Sequence, residues 1–209
     1  MKIYKDLDQG TDEWLEVRKW VITWTKLKWI TGWAKAQLTQ MYELLAEKYI
    51  VEEPLNSYEI IERWHELEPI AKAKYEHISW NRVEEVGFIT CNDWHGLSPD
   101  WIILDEDSWL YKKAIEIKCP RGKNYIKYLL EDKIPDEYKQ QVFNYFIVMD
   151  DLEELDFIIY NPDVTEDIKD IHIITVTRDQ LQSGILKSIE KVDQFKKEWD
   201  IMDNILKTK

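Results

Sequence analysis

Two short stretches carry side chains whose chemistry goes beyond packing. Gly96-Leu97-Ser98-Pro99-Asp100 is followed, sixteen residues after its aspartate (116 − 100), by Glu116 in the stretch Ala114-Ile115-Glu116-Ile117-Lys118-Cys119-Pro120. In a strand, residues two apart share a face, so Glu116 and Lys118 project together while Ile115 and Ile117 enter the core on the other side. Charges inside an apolar strand are costly to bury unless they are paired or bound to metal. Asp100, near the start of the preceding strand, completes a carboxylate pair. Hard carboxylate oxygens suit Mg²⁺, with Mn²⁺ as a substitute, and a metal of that kind stabilises charge on a phosphate. A neighbouring lysine can orient water or offset developing negative charge. The expected chemistry is phosphodiester hydrolysis. The plainer alternative is a buried Glu–Lys ion pair with an unrelated turn aspartate.

The elements that position these residues follow from periodicity and punctuation. Thr11 is a candidate N-cap for a short helix with Asp12 and Glu13 in its first turn. Residues 35–49 place Leu38, Met41, Leu44, Leu45 and Tyr49 at helical spacing, and Ser57 is a candidate cap for a helix from Tyr58 to His77. Three strands are expected at Val83–Thr90, Trp101–Leu104 and Tyr111–Lys118, the last ended by Pro120 and Gly122. A helix over Asp136–Val148 follows, then strands at Leu155–Tyr160 and Ile171–Val176 and a charged helix from Arg178. This order predicts an α/β domain with a mixed central sheet flanked by helices.

Composition bounds the remaining options. Hydrophobic residues at 44% and charged residues at 33% are ordinary for a globular chain, and 209 residues with no repeat or linker suit one domain over 1–209. No apolar run approaches the roughly 20 residues that cross a bilayer, and Met1-Lys2-Ile3-Tyr4-Lys5 lacks a signal-peptide core, so a cytoplasmic protein with no membrane partner is expected. Cys91 and Cys119 are too few for a disulfide framework, and reduced thiols are expected. The net charge of −13 opposes phosphate binding. Its distribution is uneven, however. Acidic runs at 150–154 and 163–170 lie away from the candidate site, whereas Lys112, Lys113, Lys118, Arg121, Lys123 and Lys127 surround it and could form a local basic track. His65, His77, His95 and His172 show no metal-ligand spacing, and Asp105-Glu106-Asp107 reads as a hairpin turn rather than a second metal site.

Several motifs in order resemble the YqaJ-like viral recombinases, the family of phage lambda-type exonucleases within the PD-(D/E)xK nuclease superfamily. They are Gln9-Gly10-Thr11-Asp12-Glu13-Trp14, Arg18, Val21-Ile22-Thr23, Arg63 to Glu68, Ser98-Pro99-Asp100, Glu116 to Pro120, Tyr138-Lys139-Gln140-Gln141-Val142 and Tyr160-Asn161-Pro162. The resemblance implies a restriction-endonuclease-like core. Asp100 and Glu116 then resemble metal ligands with the Ile117 carbonyl as a backbone ligand, and Lys118 resembles the catalytic lysine. Glu68 matches an acidic helix residue that reaches the metal, and Gln141 a glutamine on the helix behind the site. Arg18 and Thr25 match an arginine and a hydroxyl residue that hold a terminal 5′-phosphate. Alternatives stay open for three of these: an exposed helical glutamate for Glu68, a helix-surface amide for Gln141 and a surface salt-bridge partner for Arg18. The resemblance further implies 5′→3′ digestion of double-stranded DNA ends in a phage or prophage setting inside a bacterial host. The product would be a 3′ single strand for a single-strand annealing protein, and the enzyme a DNA-threading homotrimer.

Two rival readings exist. A Cas4-like nuclease needs four thiolates for its iron–sulfur cluster, which two cysteines cannot supply. A catalytically impaired DNA-end-binding or assembly subunit of the same fold is the second. It is opposed by the joint presence of Asp100, Glu116 and Lys118 and favoured by an oddity of composition. The chain has 11 Trp against 6 Gly, and Trp20, Trp64, Trp80 and Trp101 stand where the resemblance implies glycine. Trp24, Trp29, Trp94 and Trp109 also fall in turn-like or small-residue contexts, whereas Trp14 matches a family tryptophan. UGA codons that the host reads as glycine, rendered here as tryptophan, would account for the pattern, and a real lineage with a tryptophan-rich surface is the alternative. Trp101, directly after Asp100, is expected to crowd the metal or phosphate.

Overall fold

The computed structural model describes residues 1–19, 21–32, 36–37, 40–41, 58–120 and 122–208. Two sheets share the work. Strands β1 (Lys2–Tyr4), β2 (Phe88–Asn92) and β3 (His95–Leu97) form an antiparallel three-stranded sheet in the order β1-β2-β3. The central sheet, in the order β4-β5-β6-β7, consists of Trp101–Asp105, Leu110–Lys118, Glu154–Tyr160 and Ile171–Thr177. Its β5–β6 pair is parallel and the other two pairs antiparallel, so the sheet is mixed as expected.

Strand β5 shows how the sequence separates its two faces. Its last five residues, Ala114–Lys118, are all buried. Ala114 joins the main apolar cluster beneath a helix bearing Val142, Tyr145 and Phe146. Ile115 and Ile117 instead join a second cluster with Ala71 and Tyr75. Strand alternation therefore sends Glu116 and Lys118 to the side of the main cluster.

The helices cover both faces. They are α1 (Asp12–Arg18), α2 (Trp24–Ile30), α3 (Tyr58–Ser79), α4 (Gly122–Glu131), α5 (Lys139–Val148, preceded by a 3₁₀ turn at Asp136–Tyr138) and α6 (Arg178–Lys207). Thr11 caps α1 by accepting from the Trp14 amide, as its side-chain chemistry predicts. A reciprocal box of Thr177 and Gln180 starts α6. Of the helix expected over 35–49, residues 36–37 and 40–41 are helical, and the rest lies outside the described residues, as does the Ser57 cap. Among the described residues no helix is long and apolar enough to cross a membrane. Cys91 and Cys119 form no disulfide among the described residues.

Three expectations need correction. The strand expected at Val83–Thr90 is two pieces: Glu84 bridges Ile102 of the central sheet, whereas Phe88 onward pairs with β1. The switch falls at Gly87, where a Cβ would come 1.7 Å from the Leu7 carbonyl oxygen, so only glycine lets the chains cross. Gly122, read as part of a strand end, instead opens α4, whose amphipathic pattern was missed. The basic track loses two members, since Lys113 pairs with Glu154 and Asp156 (2.7 and 2.9 Å) and Lys112 with Asp105 and Glu153 (3.4 Å each). The acidic run after α5 thus neutralises the end of β5 remote from Lys118. The side chains of Arg121 and Lys123 lie outside the described residues.

Backbone conformation singles out two tryptophans. Trp80, just after α3, and Trp109, at the end of the β4–β5 turn, both have φ of 58°. They are 89% and 76% exposed. Trp24 and Trp29 are helical residues of α2, not turn residues, and the Trp94 ring stacks on His95. Trp101 is buried in the cluster with Tyr75, Ile115 and Ile117, on the face of the central sheet opposite Glu116 and Lys118. Its indole Nε1 has no hydrogen-bond partner among the described residues. Trp20 and the side chain of Trp64 lie outside the described residues.

Candidate active site

β5 outruns its antiparallel neighbour. Trp101 pairs with Ile115, so the backbone of Ile117 lies past the start of β4. The Ile117 amide there donates to Asp100 Oδ2 at 2.7 Å, the side chain replacing the missing ladder carbonyl. In an antiparallel ladder the N–H and C=O of one residue point to the same side. The Ile117 carbonyl therefore faces the same gap as Asp100.

Glu116 is fully buried and Lys118 nearly so. The Lys118 ammonium donates to Glu116 Oε1. α5 supplies two further donors one helical turn apart. Gln141 Nε2 donates to the same Oε1, and the Tyr145 hydroxyl donates to Oε2 at 2.5 Å. The Asp100 amide donates in turn to the Tyr145 hydroxyl oxygen (3.1 Å). Tyr138 brings its ring to 5.3 Å from Lys118 Nζ. Gln141 is thus an inward residue, not a surface amide, and its Oε1 is buried with no partner among the described residues.

Charge at this centre is out of balance. Burial, then Glu116, push the Asp100 carboxyl well above the usual carboxylate range, against the pull of Lys118. Burial also raises Glu68, on α3, to about 7, with Lys118 opposing and Glu116 reinforcing the shift. Glu68 is half-buried and within the field of the site, not a solvent-facing helix residue. Burial alone would lower Lys118, but Glu116 and Asp100 outweigh it and hold the ammonium above its usual range. Among the described residues three carboxyl groups share one field with one ammonium, which is the imbalance a divalent cation would relieve.

The donor set fits such a cation. Among the described residues no three His, Cys, Asp or Glu side chains converge at ligand spacing. Mg²⁺ does not need that many, since one or two carboxylates with waters and substrate oxygens suffice. Asp100, Glu116 and the Ile117 carbonyl meet that requirement.

The N-terminal segment grips the loop that carries Asp100. Gln9 Nε2 donates to the Pro99 carbonyl (2.9 Å), while Trp14 Nε1 and Arg18 Nη1 donate to Ser98 Oγ (3.1 and 3.2 Å). The Arg18 guanidinium lies 3.7 Å from the Trp14 ring centroid, and burial lowers its pKa to about 10. Its partners among the described residues are thus a hydroxyl and aromatic rings, not the carboxylate of a surface ion pair. Thr25 is exposed in the first turn of α2, with its hydroxyl 3.2 Å from that of Thr23. No hydrogen bond among the described residues joins it to Arg18.

Reasoning from sequence missed Tyr145, Ser98 and Gln9. Gln141 and Tyr145 stand four apart, the spacing of one helix face, and that signal could have found the tyrosine beside the glutamine. Ser98 and Gln9 act through contacts between residues 80 to 90 positions apart, which no local pattern encodes.

The chain is 24% identical to an alkaline exonuclease from Laribacter hongkongensis, with a TM-score of 0.75 over 95% of this chain and 99% of that one. The structure of that exonuclease with dAMP gives 23% identity and a TM-score of 0.76 over the same shares. A phage-related exonuclease from Haemophilus somnus 129PT shares 12% identity with a TM-score of 0.63, over 89% of this chain and 96% of that one. These likenesses establish a shared fold. No curated protein matches the chain significantly. The family model described as the YqaJ-like viral recombinase domain matches residues 13–151. More than half of the length is thereby accounted for, and the chain belongs to the YqaJ-like viral recombinase domain family.

Proposed function

We propose that this chain is a divalent-metal-dependent DNA exonuclease, organised as one nuclease domain over 1–209 around a PD-(D/E)xK-type centre. Membership of the recombinase family and a fold shared with alkaline exonucleases support the reaction class. The observation that carries the reading is the joining of Asp100 to β5 through the Ile117 amide, beside a buried Glu116–Lys118 pair. Packing alone gives no reason to place two carboxylates there against one ammonium.

Asp100, Glu116 and the Ile117 carbonyl would hold the cation, and Glu68 on α3, which does not converge with them at ligand spacing, would reach it through water. Once bound, Mg²⁺ or Mn²⁺ stabilises charge on the scissile phosphate and makes water a better nucleophile. Lys118, kept protonated by its two carboxylate neighbours, orients that water and offsets charge developing on the phosphate. Gln141 fixes Glu116. Arg18, with Thr25, would hold a 5′-terminal phosphate, and Arg18 is already tied to the Asp100 loop through Ser98. The finer expectations complete the proposal: 5′→3′ digestion of duplex ends, a 3′ single strand passed to an annealing protein, a homotrimer, and action in the cytoplasm of a bacterial host.

Digestion of end-labelled linear duplex with Mg²⁺, and with EDTA instead, tests the reading. Metal-dependent loss of label from 5′ ends is expected. Cleavage that persists in EDTA, or none with duplex still bound, would overturn it, the latter in favour of an end-binding subunit.

A further inference from the structure

The fully buried Tyr145 touches both halves of the candidate metal centre, and no motif in the sequence assigned it a role. Its importance follows from counting lone pairs on Glu116. A carboxylate offers about four acceptor positions, two on each oxygen. Oε1 accepts from Lys118 and Gln141 and is filled. Among the described residues Oε2 accepts from Tyr145 alone, which leaves one of its lone pairs open there. The same hydroxyl oxygen accepts the Asp100 amide, so one phenol sets the position of one carboxylate and of the backbone that carries the other.

We propose that Tyr145 is a positioning residue that makes Glu116 Oε2 the cation-ligating oxygen and sets its distance from Asp100. The proposal rests on the reading of this centre as a divalent-cation site. The phenol is held rigidly for this task. Its ring is clamped in the main cluster and its proton has a short acceptor, so the hydroxyl cannot rotate away without leaving Asp100 or Glu116 unsatisfied. Loss of an outer partner of a metal ligand commonly weakens affinity about 10- to 100-fold.

Mn²⁺ titration calorimetry on the parent and on Tyr145→Phe reads the effect without turnover. The variant should bind Mn²⁺ at least about 10-fold more weakly, and the Mg²⁺ concentration for half-maximal digestion should rise by a similar factor while saturating Mg²⁺ restores most of kcat. A purely structural tyrosine would lower the unfolding temperature and leave the Mn²⁺ Kd unchanged, and that result overturns the proposal while sparing the metal site. If the parent itself takes up no Mn²⁺, the metal reading fails and the positioning role falls with it. Should Tyr145→Phe not fold, 3-fluorotyrosine placed at 145 gives an independent measurement. Its ¹⁹F resonance should move when Mg²⁺ is added, and a resonance that stays fixed at saturating Mg²⁺ overturns the assignment.

Discussion

Trp80 and Trp109 occupy positions where backbone chemistry asks for glycine. The Trp80 amide donates to the Glu76 carbonyl (3.0 Å) directly after α3, with φ positive, the geometry of a glycine-terminated helix end. Trp109 closes the β4–β5 turn through the Asp105 carbonyl (2.8 Å) in the same left-handed region, which hairpin turns fill with glycine or asparagine. Both rings project into solvent, so no packing repays the strain. This supports the recoding hypothesis, and it moves the sharper test from Trp101, a buried core residue, to these two. Gene sequencing should show UGA at Trp80 and Trp109, and UGG at both would end the idea. Trp80→Gly and Trp109→Gly should each stabilise the protein by about 1 kcal/mol, seen in thermal unfolding, because the left-handed conformation costs an L-residue roughly 1–2 kcal/mol. At the centre itself, Asp100→Ala, Glu116→Ala and Lys118→Ala should each abolish digestion while duplex binding survives, since phosphate contacts elsewhere position DNA. Lys118→Ala with the parent rate would refute the assignment of the lysine.

One element alone decides whether the site exists: β5 must extend beyond β4 so that a side chain, not a backbone carbonyl, receives the Ile117 amide. The N-terminal segment fixes that side chain from outside, through Trp14 and Arg18 on Ser98 and Gln9 on Pro99. Arg18→Ala should therefore do two things at once. It should erase a preference for 5′-phosphorylated over 5′-hydroxyl ends, and it should slow digestion of both by loosening the Asp100 loop. Equal rates on the two kinds of end in the parent would remove the phosphate role. The crossing at Gly87 is the other demanding junction. A methyl group there would overlap the Leu7 backbone, and the Gly87 carbonyl also receives Trp14 Nε1 (3.1 Å). Gly87→Ala should destabilise the fold by about 3 kcal/mol, the upper range for overpacking, as measured by denaturant titration.

For the whole molecule, a net charge of −13 means that affinity for DNA must be local or topological. The ion pairs of Lys112 and Lys113 sharpen the point, because they remove two cations from the expected basic track. A ring that encloses DNA keeps its hold without high intrinsic affinity, and this is the physical case for a cyclic homotrimer. Light scattering at micromolar concentration should then report three times the 25.3 kDa of one chain. A monomer under those conditions would leave processive digestion without a means of retention.

Much of this is legible in the sequence. Alternation in Ala114–Lys118 put Glu116 and Lys118 on one face, and strand and helix periods gave the order of elements around the mixed sheet. Those signals are local, carried by side chains two to four residues apart, and so they can be read from sequence. Gln141 and Glu68 came from motif likeness, but that the carboxamide bonds Glu116 and the carboxyl lies in the field of Lys118 is a matter of helix placement. The grip of Gln9, Trp14 and Arg18 on residues 98–99, the switch of sheets at Gly87, the burial of Trp101 on the face opposite Glu116 and the neutralisation of Lys112 and Lys113 were decided by tertiary structure alone. Each depends on which distant segments the core brings into contact, and a side chain's hydrogen-bonding capacity is written in the sequence while its partner is chosen by the packing.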